Sequence, residues 1–221
     1  MAKLEICANS IESALNAQNG GADRVELCME LSVGGVTPSK GMIQLVKELL
    51  EIPLYVLIRP RSGDFNYSIM ELEIMKEDIA YCAELGCGGV VIGALTQERK
   101  IDQTKTTALM DAAGFMDVTF HRAFDEVPNH FEAMDTLRDL GIQRVLTSGG
   151  KGNAIDNIDT LCELVEEAED DIIIMPGGGI RTENITDLLE IGALEYHSSA
   201  LTTSGRHSDL SVIKALRNSL T

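Results

Sequence analysis

Glu5-x-Cys7 and Glu26-x-Cys28 each set a carboxylate and a thiol two residues apart, and each closes a short apolar run near the N-terminus. Residues two apart on a strand face the same side. If the two runs are neighbouring parallel strands, the thiols approach one another and the carboxylates share a layer beneath them. Adjacent thiolates are soft ligands that suit Cu(I) or zinc. Glu5 and Glu26 are candidates for acid/base work. A plainer reading keeps Cys7 and Cys28 as small buried hydrophobes, because they do not form a CxxC pair.

Five further clusters follow: Arg59-Pro60-Arg61, Phe120-His121-Arg122, Thr147-Ser148-Gly149, Pro176-Gly177-Gly178-Gly179 and Glu195-x-His197. Arg59 and Arg61 can grip a carboxylate or phosphate bidentately, and Pro60 stiffens the turn between them. Arg59 can equally pair with Glu5 or Glu26, since buried carboxylates need partners. His121 and His197 are candidate general bases or metal ligands, although a lone histidine is more often structural. Ser148-Gly149 and Gly177, Gly178 and Gly179 offer backbone N–H groups to an anion, or serve only as tight turns.

All these clusters end β-rich runs. Eight such runs lie at 4–8, 24–28, 54–59, 89–93, 118–122, 144–147, 172–175 and 194–198. Helix-period segments alternate with them, at about 10–20, 39–50, 68–85, 103–113, 129–140, 154–168, 183–191 and 209–219. Ser68-x-x-Glu71 reads as a capping box, and Ser10, Ser39, Thr182 and Ser208 stand where N-caps belong. Gly20-Gly21, Gly86, Gly141 and Gly192 follow helical runs as stop signals. Strand–helix alternation implies parallel strands with crossover helices. Eight units predict one single-domain (β/α)8 TIM barrel over residues 1–221. In that fold the C-terminal ends of the strands carry the site, so the clusters sit where chemistry belongs. The longest connections, 29–38 and 60–67, lie on the same face.

With 221 residues, the chain is long enough for a full core, and a barrel of this length needs tight connections against the ~250 residues typical of the fold. Acids outnumber bases 35 to 18, a net charge of −17, which argues against nucleic acid or an anionic membrane surface as partner. A few arginines in a cleft can still hold a small anion. No apolar run approaches the ~20 residues of a membrane span. Met1-Ala2-Lys3 leads straight into a strand-like run containing Glu5, so a cytoplasmic protein is expected. Five cysteines are an odd number and read as free thiols.

In order along the chain, the most specific blocks are Gly20-Gly21-Ala22-Asp23-Arg24-Val25-Glu26-Leu27-Cys28, Gly34-Gly35-x-Thr37-Pro38-Ser39, Arg59-Pro60-Arg61-x-Gly63-Asp64-Phe65-x-Tyr67, Phe120-His121-Arg122-Ala123-Phe124-Asp125 and Met175-Pro176-Gly177-Gly178-Gly179-Ile180. Together they resemble the CutC family, usually described as copper homeostasis proteins, from Glu5 to His197. The resemblance implies a compact (β/α)8 barrel, a cytoplasmic homo-oligomer and a role in copper handling. It also implies Cu(I) ligation by Cys7 and Cys28, which match two cysteines proposed as ligands in the family. Relatives tend to carry small residues after the second cysteine; Met29-Glu30 stands there in this chain, and a thioether beside Cys28 could assist Cu(I) or simply fill space.

Two functions compete on this reading. A Cu(I)-binding protein uses Cys7 and Cys28 but leaves the arginines, histidines and glycine turns unexplained. An enzyme acting on a small phosphorylated or carboxylated metabolite would use Glu5, Glu26, His121 and His197 as acid/base groups. Arg59, Arg61, Ser148, Gly149, Gly177, Gly178 and Gly179 would then bind its substrate. A purely structural barrel ranks last, because it would bury a row of charges without purpose.

Overall fold

A computed structural model describes residues 2–203 and 205–221. Eight strands run parallel: β1 (Lys3–Ala8), β2 (Arg24–Leu27), β3 (Leu54–Leu57), β4 (Gly89–Ile92), β5 (Asp117–Phe120), β6 (Arg144–Thr147), β7 (Ile173–Pro176) and β8 (Glu195–Ser198). Between and after them come α1 (Ile11–Asn19), α2 (Lys40–Leu49), α3 (Ile69–Glu84), α4 (Gln103–Ala113), α5 (His130–Asp139), α6 (Ile158–Ala168), α7 (Ile185–Leu188) and α8 (Leu210–Ser219). The sheet runs β7-β6-β5-β4-β3-β2-β1-β8, which is the expected TIM barrel. Strands β7 and β8 lie side by side at the seam. Ile173 and Gly177 both send their N–H groups toward β6, to the carbonyls of Gln143 just before it and of Thr147 at its end. By alternation, the nitrogen of Pro176 faces β8 and has no hydrogen to give.

Side-chain alternation divides the core in two. Leu4, Ile6, Val25, Leu27, Val56 and Val90 point outward into the layer packed by the helices. Inside the barrel, Cys7, Cys28, Tyr55, Leu57 and Val91 form a much smaller apolar cluster. The remaining interior is polar, and that is what shapes the site.

Ser10, Ser39 and Ser68 cap α1, α2 and α3, the last with Glu71 in a full capping box. Three helical boundaries differ from expectation. Asp209, not Ser208, caps α8. The helix expected over 154–168 breaks at Asn157, whose side-chain amide donates to the carbonyls of Ser148, Lys151 and Asn153 and so leaves the helical ladder. The helix expected over 183–191 shrinks to α7 and a 3-10 turn ended by left-handed Gly192, and Asn184 rather than Thr182 stands at its start. The fifth strand stops at Phe120, because the His121 ring accepts the Ala123 N–H and starts a 3-10 turn over Arg122–Glu126.

Candidate functional site

The register of the first two strands sets Cys7 beside Glu26 and Glu5 beside Arg24. The carboxylates are therefore one pleat apart, not level as alternation alone suggested, because strands in a closed barrel are staggered. The thiols do meet: Cys7 Sγ and Cys28 Sγ are 3.1 Å apart, both buried. Cys7 Sγ lies 3.9 Å from Glu26 Oε1. His197 enters from β8, its Nδ1 2.6 Å from Glu5 Oε1 and 3.6 Å from Glu26 Oε2. Donor atoms of Cys7, Glu26 and His197 all lie within 4.8 Å of one another, close enough to share one metal ion.

Beneath this group runs a chain of buried ion pairs. Arg24 Nε donates to Glu5, and Arg24 Nη2 lies 2.6 Å from Glu195 Oε2. Arg144 grips the same Glu195 with both Nε (2.6 Å) and Nη2 (3.2 Å). Tyr55 lies under both guanidinium groups and donates its hydroxyl to Asp117. Glu5 thus has one oxygen on Arg24 and the other on His197. It fixes the imidazole and does not reach the open cavity.

Burial favours the neutral form of each acid, and neighbours decide the outcome. Burial raises Glu5, but Arg24 and His197 outweigh it and hold the carboxyl far below the usual range. Glu26 has no such partner: burial dominates and pushes it to about 8, with His197 opposing and Glu5 assisting. Its Oε2 is buried without a hydrogen-bond partner among the described residues. The Cys7 thiol is raised by its hydrogen bond to Cys28, by burial and by the nearby carboxylates. Burial alone would lower His197; its hydrogen bond to Glu5 and the charges of Glu26 and Glu5 raise it instead.

Above Cys7, Glu26 and His197 opens a cavity of about 500 Å³ at the C-terminal ends of the strands. Arg59, His121, Gly178 and Gly179 also line it. His121 lies across Gly93, where a Cβ would stand 2.3 Å from the ring, so this glycine makes room for the imidazole. Cys28 and Glu5 sit directly behind the wall.

Four expected residues lie elsewhere. Arg61 turns away to Glu71, Asp64 and the carbonyl of Asn66, tying the loop before α3. The buried Ser148 hydroxyl accepts from Arg122 and has Asp125 and Gly150 O as alternative acceptors for its single proton. A Cβ on Gly149 would meet Asn157 and Leu161, and one on Gly177 would meet Leu146 at 2.4 Å, so both are packing positions. Met29 makes an antiparallel bridge with Val36 and does not line the cavity. Arg59 pairs with neither Glu5 nor Glu26; its guanidinium donates to the carbonyls of Val33, Gly35 and Gly63.

Sequence reasoning passed over Arg24, Arg144, Phe65, Lys151 and Arg181. Arg24 shares strand parity with Glu26 and Cys28, so alternation alone could have placed it inside the barrel. The cavity's Lys151 and Arg181 sit on turns, where no periodicity points.

The family model for "CutC family" matches residues 2–202. A human protein described as "Copper homeostasis protein cutC homolog" is 48% identical over 201 residues, covering 90% of this chain and 74% of its own. A CutC family protein from Xanthomonas campestris pv. campestris (strain 8004) is 48% identical over 198 residues, covering 89% of this chain and 82% of its own. The crystal structure of a CutC protein from Streptococcus agalactiae superposes with a TM-score of 0.86 at 36% identity, covering 90% of this chain and 99% of that one. Phosphoribosyl anthranilate isomerase from Thermotoga maritima shares only the barrel, with a TM-score of 0.67 at 14% identity. With its barrel, its paired thiols at the strand ends and these matches along nearly its whole length, the chain belongs to the CutC family.

Proposed function

We propose that this protein serves copper homeostasis by taking Cu(I) at Cys7 and Cys28. The observation that carries the reading is the thiol pair 3.1 Å apart, Cys7 on the cavity wall and Cys28 directly behind it. Sulfur is the soft donor that Cu(I) prefers. With a metal–thiolate bond of ~2.3 Å, a linear two-sulfur site would need the sulfurs ~4.6 Å apart. The present spacing favours a bent site with a further donor, and His197 and Glu26 stand within reach of Cys7. Binding displaces thiol protons, so affinity rises with pH. No helix among the described residues is long and apolar enough to cross a membrane. The five free cysteines fit a reducing, cytoplasmic setting. Ile69, Met70 and Ile74, exposed on α3, support a homo-oligomer. An anaerobic Cu(I) competition titration tests the proposal: tight stoichiometric binding in the reduced wild type is lost in Cys7→Ser and in Cys28→Ser. Binding unchanged in both variants would refute it.

A second reading, an enzyme acting on a small phosphorylated or carboxylated metabolite, is favoured by one observation. In a chain of net charge −17, four cations, Arg59, Arg122, Lys151 and Arg181, line one cavity against three acids, Glu26, Asp125 and Glu126, and only Arg122 among the four pairs with a carboxylate among the described residues. The unpaired cations can attract a small anion to the site. Glu26 and His197 would be its acid/base pair.

A further inference from the structure

Two buried donors on the cavity wall are left unmatched. Arg59 commits its terminal nitrogens to the carbonyls of Val33, Gly35 and Gly63, and its Nε–H makes no well-formed hydrogen bond among the described residues, the equally unmatched Tyr67 hydroxyl lying beside the guanidinium. His121 accepts the Ala123 N–H at Nδ1, which assigns the ring proton to Nε2, and that atom also lacks a partner. Each residue is only 5% exposed, and each lines the cavity. Phe65 joins them: its ring lies 4.8 Å from Arg59 Cζ and 4.9 Å from the His121 ring. Unmatched buried donors are costly and rare, and both of these belong to residues packed on one aromatic ring at the cavity wall.

The geometry points to a carboxylate subsite between Arg59 and His121, for a small organic acid whose second anionic group lies toward Lys151 and Arg181. The inference rests on the second reading above and names its ligand class. Arg59 supplies the positive charge and one donor, and His121 supplies a neutral donor. Burial, with Arg59 assisting, lowers His121 to about 3, so the ring keeps a single N–H throughout the physiological range. His121 therefore binds rather than shuttles protons, which leaves acid/base work to Glu26 and His197. At the far end, Lys151 and Arg181 have no carboxylate partner among the described residues. The left-handed turn at Gly178 and Gly179 lies beside them.

The test is 15N-histidine NMR of the reduced full-length protein with three probes: phosphoglycolate, malonate and inorganic phosphate. The expected result is that phosphoglycolate and malonate shift the His121 Nε2–H signal while inorganic phosphate does not. In His121→Phe, checked for an unchanged thermal transition, phosphoglycolate should weaken about tenfold more than inorganic phosphate. Binding of phosphoglycolate that leaves the His121 signal unmoved would overturn the subsite while sparing the small-molecule reading. Failure of all three probes to bind the folded wild type would overturn both.

Discussion

Glu26 is the residue whose environment is least comfortable: buried, one oxygen unmatched, its pKa pushed to about 8. Its folded-state value lies above the ordinary carboxylate value of 4.5, so the fold prefers it protonated. The penalty is absent below the unfolded-state value, grows as pH rises from about 4.5 to about 8, and is complete above that. At ~1.4 kcal/mol per unit, such a shift is worth several kcal/mol before solvent relaxation reduces it. Glu26→Gln should therefore raise the melting temperature more at pH 9 than at pH 5; an equal gain at both would contradict the assignment. Gly93 makes a second prediction. A Cβ there would stand within 2.4 Å of two His121 ring atoms. Gly93→Ala should cost ~1–3 kcal/mol by urea unfolding and displace the His121 resonances.

At the scale of elements, strand alternation places Glu5, Cys7, Glu26, Cys28 and His197, most of the candidate site, inside a barrel from residue parity alone. It could not give the stagger that puts Cys7, not Glu5, beside Glu26. Nor could it foresee where the arginines would go. Arg61 is captured by Glu71, itself part of the α3 capping box. Arg59 is captured by the loop after β2, which folds back through left-handed Gly34 and Gly35 to present its carbonyls. Such contacts depend on loop geometry, which no periodicity encodes. The ion chain of Glu5, Arg24, Glu195 and Arg144 binds β1, β2, β6 and β8 across the barrel. Arg24→Met would leave Glu5 short of a buried partner and should cost ~3–5 kcal/mol by urea unfolding. It should also weaken Cu(I) binding, because Glu5, which orients His197, loses the guanidinium that anchors it. A stability loss without an affinity loss would mean the chain only holds the barrel shut.

For the whole molecule, the barrel was legible because eight strand–helix units follow one another with capping and stop signals at their ends. The outer layer is apolar, and the interior is given over to charge and sulfur. A barrel normally fills that space with branched apolar side chains, so this one trades core packing for a site. The central claim is that the two interior thiols hold copper together. X-ray absorption at the copper edge of the anaerobically loaded protein tests it most directly. The account predicts one Cu(I) per chain with two sulfur neighbours and a nitrogen or oxygen neighbour in the wild type, and no tightly held copper in Cys28→Ser. A copper shell without sulfur, or one unaltered by that substitution, would contradict it.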